Sequence, residues 1–126
     1  MNLHESGEMY LETIYVLSKK QASIRSIDVG EYMGYSKPSV SRAISILKNG
    51  GFVITNEHGF LQLTPSGLEV AEKIYQRHLL LDEFLLYIGL DEETAKTDAC
   101  KIEHVISDAT YIAIKKHLDL SRSSAT

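Results

Sequence analysis

The chain holds a single cysteine, only two prolines and no apolar run of membrane-spanning length. Cys100 alone cannot close an intrachain disulfide, which excludes a secreted, disulfide-stapled scaffold. The longest apolar stretch near the middle, Phe84 to Leu90, falls far short of the ~20 residues that cross a bilayer. The opening MNLHESGEMY has no basic segment followed by an apolar one, so no secretory signal is visible and a cytoplasmic location is expected. No internal repeat and no low-complexity linker is present either. What remains is the balance of a folded protein: 126 residues, 44% hydrophobic and 24% charged. That length suits one domain, or two small ones sharing a core.

Seventeen acids against thirteen bases give a net charge of −4, but the excess is one-sided. Residues 1–64 hold six bases and six acids, whereas residues 65–126 hold seven bases and eleven acids. Within the neutral half, Gly34 to Gly51 carries Lys37, Arg42 and Lys48 and no acid at all. A basic island beside an acidic half fits a small nucleic-acid binder with a separate sensing half. A solvated helix face accounts for three charges equally well.

Periodicity supplies the order of elements. Tyr10, Ile14 and Leu17 recur at helical spacing and predict a helix over Ser6–Lys20, with Leu11 and Tyr15 widening its stripe. Ser26 is a candidate N-cap for a short helix, Ile27–Met33, which Gly34 ends. Ser36 caps the next helix, with Pro38 in its first turn; this helix runs through Val40, Ala43, Ile44 and Leu47 to Asn49. Two helices joined by a tight glycine-containing turn form a helix-turn-helix candidate. Phe52–Thr55 and Phe60–Thr64 read as strands around the turn Asn56–Gly59, and a hairpin in that place is a wing. After Thr64-Pro65-Ser66-Gly67, a long helix is expected from Leu68 to about Ile88, buried along Val70/Ala71, Ile74/Tyr75, His78 and Leu81/Leu85. Asp91 then opens a helix through Ile106, and Asp108 another through Leu118. The expected organisation is a mainly α chain: a winged helix-turn-helix over residues 1–66, a helical domain over residues 67–120 and a loose tail over residues 121–126.

Three groups of residues carry the candidate chemistry. On the third helix, Val40, Ala43, Ile44 and Leu47 take the core side, leaving Lys37, Ser39, Ser41, Arg42 and Ser45 outward. Entered N-terminus first into a major groove, such a helix lets Arg42 reach a guanine edge and its serines meet phosphates or bases. Ser36 and Pro38 complete that candidate surface. An ordinary amphipathic helix with a polar face has the same pattern. The second group is Cys100, Glu103 and His104, whose spacings of three and four place a thiol, a carboxylate and an imidazole on one helical face. The plain alternative is a small buried cysteine beside a common Glu/His pair. A nucleophilic Cys100–His104 pair would be the enzyme reading. No orienting residue and no glycine-rich oxyanion turn accompany it, so no catalytic residue is expected. The third group is His78 and Asp82, one turn apart on the long helix.

Taken together, EMYLETIY (8–15), YSKPSVSRAI (35–44), LQLTPSG (61–67), QRHLLLDEFL (76–85) and DACKIEHVISD (98–108) resemble the diphtheria toxin repressor family of metal-dependent transcriptional regulators. Five motifs in order, over nearly the whole chain, are specific where each alone is not. The resemblance implies a winged helix followed by a helical metal-binding and dimerisation domain. It implies that Met9, Cys100, Glu103 and His104 form the iron-type regulatory site. It puts His78, with Asp82 where iron-type members carry a glutamate, in an ancillary site, although Lys96 stands where a further histidine belongs. Glu12 matches a carboxylate ligand of the manganese-responsive branch, in which an acidic ligand replaces Met9. In iron-responsive members a proline-rich linker and an SH3-like domain follow, and Ser121–Thr126 lies near where that linker would begin.

The function expected from this reading is a divalent-metal-activated repressor binding a near-palindromic DNA operator as a homodimer and controlling metal uptake or homeostasis. Neither a membrane nor an organic cofactor is expected as partner. A thioether and a thiolate favour iron(II) over manganese(II), with Mn2+ the alternative and Ni2+, Co2+ or Zn2+ binding in vitro. Two rival readings stand beside it: a winged-helix regulator sensing an organic ligand or Cys100 oxidation, and, in another class, a Cys100/His104 thiol enzyme.

Overall fold

A stripe of apolar side chains on each of three helices, closed by a short hairpin, makes the first of two units. The computed structural model describes residues 5–125, with side chains as far as Ser121. The chain divides into Met1–Lys73 and Ile74–Thr126. The first unit holds α1 (Glu5–Lys20), α2 (Ser26–Met33), α3 (Lys37–Asn49), β1 (Val53–Thr55) and β2 (Leu61–Leu63). The helix α4 (Pro65–Tyr87) runs through the division. The second unit continues with α5 (Glu92–Ile102) and α6 (Asp108–Ala125).

The first core follows the expected spacing. Tyr10, Leu11, Ile14 and Leu17 of α1 meet Val29 of α2, Val40, Ile44 and Leu47 of α3, Val53 and Leu61 of the strands, and Ala71 of α4. Fully burying each large aliphatic among them contributes about 1.5–3 kcal/mol relative to exposure. Gly34 makes the helix-turn-helix corner: its φ of +75° is the left-handed conformation that ends α2, and its N–H bonds the carbonyl of Gly30 at 2.8 Å. The strands pair antiparallel, Val53 opposite Leu63, Ile54 opposite Gln62 and Thr55 opposite Leu61. Asn56 shapes the wing tip by accepting the N–H groups of His58 (2.9 Å) and Phe60 (3.0 Å) on its side-chain oxygen.

The second unit has a smaller core. Leu81 and Leu85 of α4 pack with Ala95 and Ala99 of α5, and Phe84, Ile102, Ile106 and Ile114 close around them. The two alanines are fully buried in this cluster, and Ala99 stands next in sequence to the site described below.

Helix boundaries differ from the sequence expectation at several ends, and four of the differences have a local reason. Helix α2 begins at Ser26 rather than after it, because the Asp28 carboxylate reaches back to the Arg25 N–H at 2.8 Å. Helix α4 begins at Pro65, since Thr64 caps it: the hydroxyl accepts the Gly67 N–H at 3.1 Å and donates to the Gly51 carbonyl at 2.6 Å. Helix α5 stops at Ile102, not Ile106. Both Val105 and Ile106 direct their N–H groups to the Ile102 carbonyl, and the Ser107 hydroxyl accepts the Thr110 N–H to start α6. Helix α6 continues to Ala125, over most of the stretch expected to be loose. No proline or glycine follows Asp108, so nothing in the chain interrupts propagation. Thr126 lies outside the described residues.

The junction of hairpin and α4 depends on one residue without a side chain. A Cβ at Gly67 would lie 2.0 Å from the Phe52 carbonyl oxygen, which is backbone and cannot step aside. Gly67→Ala should therefore cost about 1–3 kcal/mol, read as a lower urea midpoint at unchanged slope. An unchanged midpoint would contradict this tight packing of wing on helix.

Candidate metal centre and nucleic-acid interface

Three chemically different donors meet in the second unit. His78 comes from the middle of α4, Cys100 from the last turn of α5 and Glu103 from the residue that caps α5. Glu103 keeps helical dihedrals (φ −57°, ψ −25°), so the three-residue spacing still sets it one turn beyond Cys100. His78 Nδ1 lies 2.8 Å from Glu103 Oε2 and 3.7 Å from Cys100 Sγ. The Nδ1, Sγ and a carboxylate oxygen all fall within 4.8 Å of one another. Donors sharing one ion at ~2.0–2.3 Å are separated by about 3–3.7 Å, so little movement is needed to fit a transition metal between them.

Glu103 is fully buried. Its second oxygen, Oε1, faces His104 Nε2 at 3.3 Å, and the side chains of both residues are 1% exposed. The carboxylate thus stands between two imidazoles. His104 lies in the turn after α5, so only Cys100 and Glu103 keep the single helical face that spacing suggests. Neighbours hold the His78 imidazolium: hydrogen bonds to Cys100 and to Glu103 raise its pKa from 6.5 to about 10, with burial opposing them.

The turn itself is held from α4. Arg77, buried beside His78 in sequence, donates from Nη1 to the carbonyls of Glu103 (3.3 Å) and Ile106 (2.7 Å) and from Nη2 to the Asp108 carboxylate. Sequence reasoning passed over Arg77. The available signal was a cation next to a candidate ligand, on the apolar side of a helix.

His78 joins Cys100 and Glu103, whereas Asp82, half-buried one turn along α4, is not in that cluster. Lys96 is exposed on α5. Met9 and Glu12 are half-buried on α1, one turn apart in the first unit; the Met9 carbonyl accepts the Thr13 hydroxyl at 2.9 Å.

The start of α3 presents the other candidate surface. Ser36, Lys37, Pro38, Ser39, Ser41 and Arg42 are all exposed, while Val40, Ile44 and Leu47 are buried. Ser36 caps the helix, accepting the Ser39 N–H at 3.4 Å, and the two hydroxyls lie 3.0 Å apart. One hydroxyl of the expected reading set is thereby already engaged. Lys37, Ser41 and Arg42 lie exposed on the first two turns of α3, which carry no acid, and Glu57 and His58 are exposed at the wing tip.

Residues 2–60 match the family profile "Iron dependent repressor, N-terminal DNA binding domain", and residues 64–123 match "Iron dependent repressor, metal binding and dimerisation domain". The chain belongs to this family. It is 34% identical over 124 residues to the diphtheria toxin repressor of Corynebacterium diphtheriae, covering 97% of this chain and 55% of that protein. It is also 34% identical over 102 residues to the HTH-type transcriptional regulator MntR of Lysinibacillus sphaericus, covering 81% of this chain and 73% of that one. Among solved structures, the manganese regulator SloR matches with a TM-score of 0.82 at 28% identity, over 94% of this chain and 55% of that chain. The chain thus spans about half the length of the diphtheria toxin repressor and of SloR. Membership in the iron-dependent repressor family accounts for the winged fold and for a metal-binding domain around the Cys100–Glu103 segment.

The raised His78 pKa has a measurable consequence. At neutral pH Nδ1 holds its proton, so a cation taking that position must displace it. Calorimetry of cobalt(II) or manganese(II) binding near pH 7 should show proton release, as a heat that varies with buffer ionisation enthalpy. Affinity should rise with pH towards about 10. In the metal-free chain the sign is opposite. The folded pKa lies above the unfolded one, so stabilisation is full below pH 6.5 and is lost as pH climbs through about 10. A binding heat identical in all buffers would contradict the protonated His78.

Proposed function

We propose that this chain is a divalent-metal-activated transcriptional repressor that binds a near-palindromic operator as a homodimer and controls genes of metal uptake or homeostasis. The observation that carries the proposal is the convergence of His78, Cys100 and the buried Glu103 in the segment matching the family's metal-binding domain. Its relatives are named as a repressor and as a transcriptional regulator, which supports a regulator over the thiol-enzyme reading. No helix among the described residues is long and apolar enough to cross a membrane.

The metal ligands proposed are Cys100, Glu103, His104 and His78, with Met9 from α1 as the resemblance implies. Asp82 and Glu12 are secondary candidates. A bound divalent cation would supply positive charge that holds Glu103 ionised without water and draws its donors into one fixed arrangement. Lys37 and the serines are assigned to phosphate and Arg42 to a base edge. Two-fold symmetry then sets the half-site spacing to whole turns of the duplex.

Iron(II) is the metal the donors favour, because Cys100 and Met9 are soft. Manganese(II) is the second reading, favoured by the Glu103 carboxylate at the centre of the cluster and by Glu12. Nickel, cobalt and zinc bind tightly at such sites whichever ion works in the cell.

Duplexes selected from a random pool in the presence of metal provide the operator for the test. Metal should tighten its binding by roughly 5–150-fold, and equal affinity with chelator would contradict the proposal. Under anaerobic conditions the native chain should respond to iron(II) at lower free concentration than to manganese(II), and Met9→Asp with Cys100→Glu should reverse that order. Arg42→Ala should cost about 1–3 kcal/mol on the operator and relax preference at one base pair per half-site. Lys37→Ala should weaken every sequence alike and flatten the salt dependence. Equal losses for Arg42→Ala on operator and random DNA would refute its base-reading role.

A further inference from the structure

Glu103 caps α5 with its N–H bonded to the Ala99 carbonyl at 3.0 Å, and His104 follows it outside any helix. They occupy the turn between α5 and α6. The path of that turn decides where two of the cluster's side chains point. The last carbonyls of a helix have no partner within it and need one from elsewhere.

Arg77 meets that need from across the unit. Its guanidinium donates to the carbonyl of Glu103 and, three residues on, to the carbonyl of Ile106, so the two ends of the turn are held by one rigid plane. The Asp108 carboxylate fixes that plane from the start of α6, and the Tyr111 ring lies 5.9 Å from the guanidinium carbon. The Arg77 side chain is 9% exposed. Its neighbour on α4 is His78, whose ring meets the Glu103 side chain at 2.8 Å. Two consecutive residues of one helix therefore grip the same residue twice, one by its backbone and one by its carboxylate.

We infer that Arg77 is a positioning residue for the metal centre, setting the direction of Glu103 and His104 through the turn that carries them. Lysine cannot replace it, because a single ammonium lacks the planar fork that reaches two carbonyls and a carboxylate at once. The inference rests on the metal-binding reading proposed for the same cluster.

Cobalt(II) titration of the full chain tests it, read by the thiolate-to-cobalt absorption of Cys100 and the visible ligand-field bands. The native chain should develop both. Arg77→Lys and Arg77→Gln should bind cobalt roughly 10–100-fold more weakly, with altered ligand-field bands, in samples whose circular dichroism remains native before metal is added. A purely structural arginine would lower the unfolding temperature and leave the affinity of the folded protein unchanged; that result overturns the inference. Should both Arg77 variants fail to fold, Asp108→Ala decides. It keeps the guanidinium and removes only the group that orients it, so a several-fold weaker cobalt affinity supports the inference and a native affinity overturns it. A native chain that develops no cobalt bands would instead sink the metal-binding reading, and this inference with it.

Discussion

A carboxylate with no exposure to water is the constraint on which the second unit is built. Moving a charged carboxylate into the interior costs several kcal/mol unless partners compensate. Glu103 is placed where compensation comes from both sides, with His78 at one oxygen and His104 at the other. Without metal, the imidazolium of His78 faces that carboxylate, its proton held by the hydrogen bond to Cys100 first and by the one to Glu103 second. With metal, a divalent cation would take that place. The same residue thus contributes to the metal-free protonation and to the proposed affinity for a cation.

The surrounding architecture serves this geometry. Ala95 and Ala99 share a buried cluster with Leu81 and Leu85 of α4, and Cys100, one residue beyond Ala99, lies 3.7 Å from His78. Had α5 run on to Ile106, His104 would have been locked into the helical register that Glu103 keeps. Ending it at Ile102 puts His104 in the turn and leaves carbonyls that Arg77 then satisfies. The early stop also lets Ile106 pack on the Leu81–Leu85 core. In the first unit, the order of cap, turn and apolar stripe likewise leaves one acid-free surface at the start of α3.

How far the sequence reached differs between the units for physical reasons. The winged helix was legible because its signals are local: a serine cap at Ser36, a left-handed glycine at Gly34, and an asparagine turn between two apolar runs. The residue types of the metal cluster were legible too, since a thiol, a carboxylate and an imidazole stand within five residues. Their grouping was not. Periodicity reports phase along one helix, so it kept Cys100, Glu103 and His104 on a single face and saw no turn. It also left His78 with Asp82, because which partner a histidine on α4 meets depends on packing against α5, a contact about 25 residues away in sequence. Arg77 escaped for the same reason: its bonds run to backbone carbonyls, which no side-chain pattern reveals.

The central claim is that Cys100, His78 and Glu103 bind one ion together. X-ray absorption at the metal edge of the anaerobically loaded full chain tests it most directly. The account predicts at least one sulfur scatterer at about 2.3 Å beside nitrogen and oxygen at about 2.0–2.2 Å. The Cys100→Ser protein should lose a sulfur scatterer, and His78→Ala should lose imidazole scattering. A first shell of oxygen and nitrogen alone in the native chain, unchanged by either substitution, would contradict it.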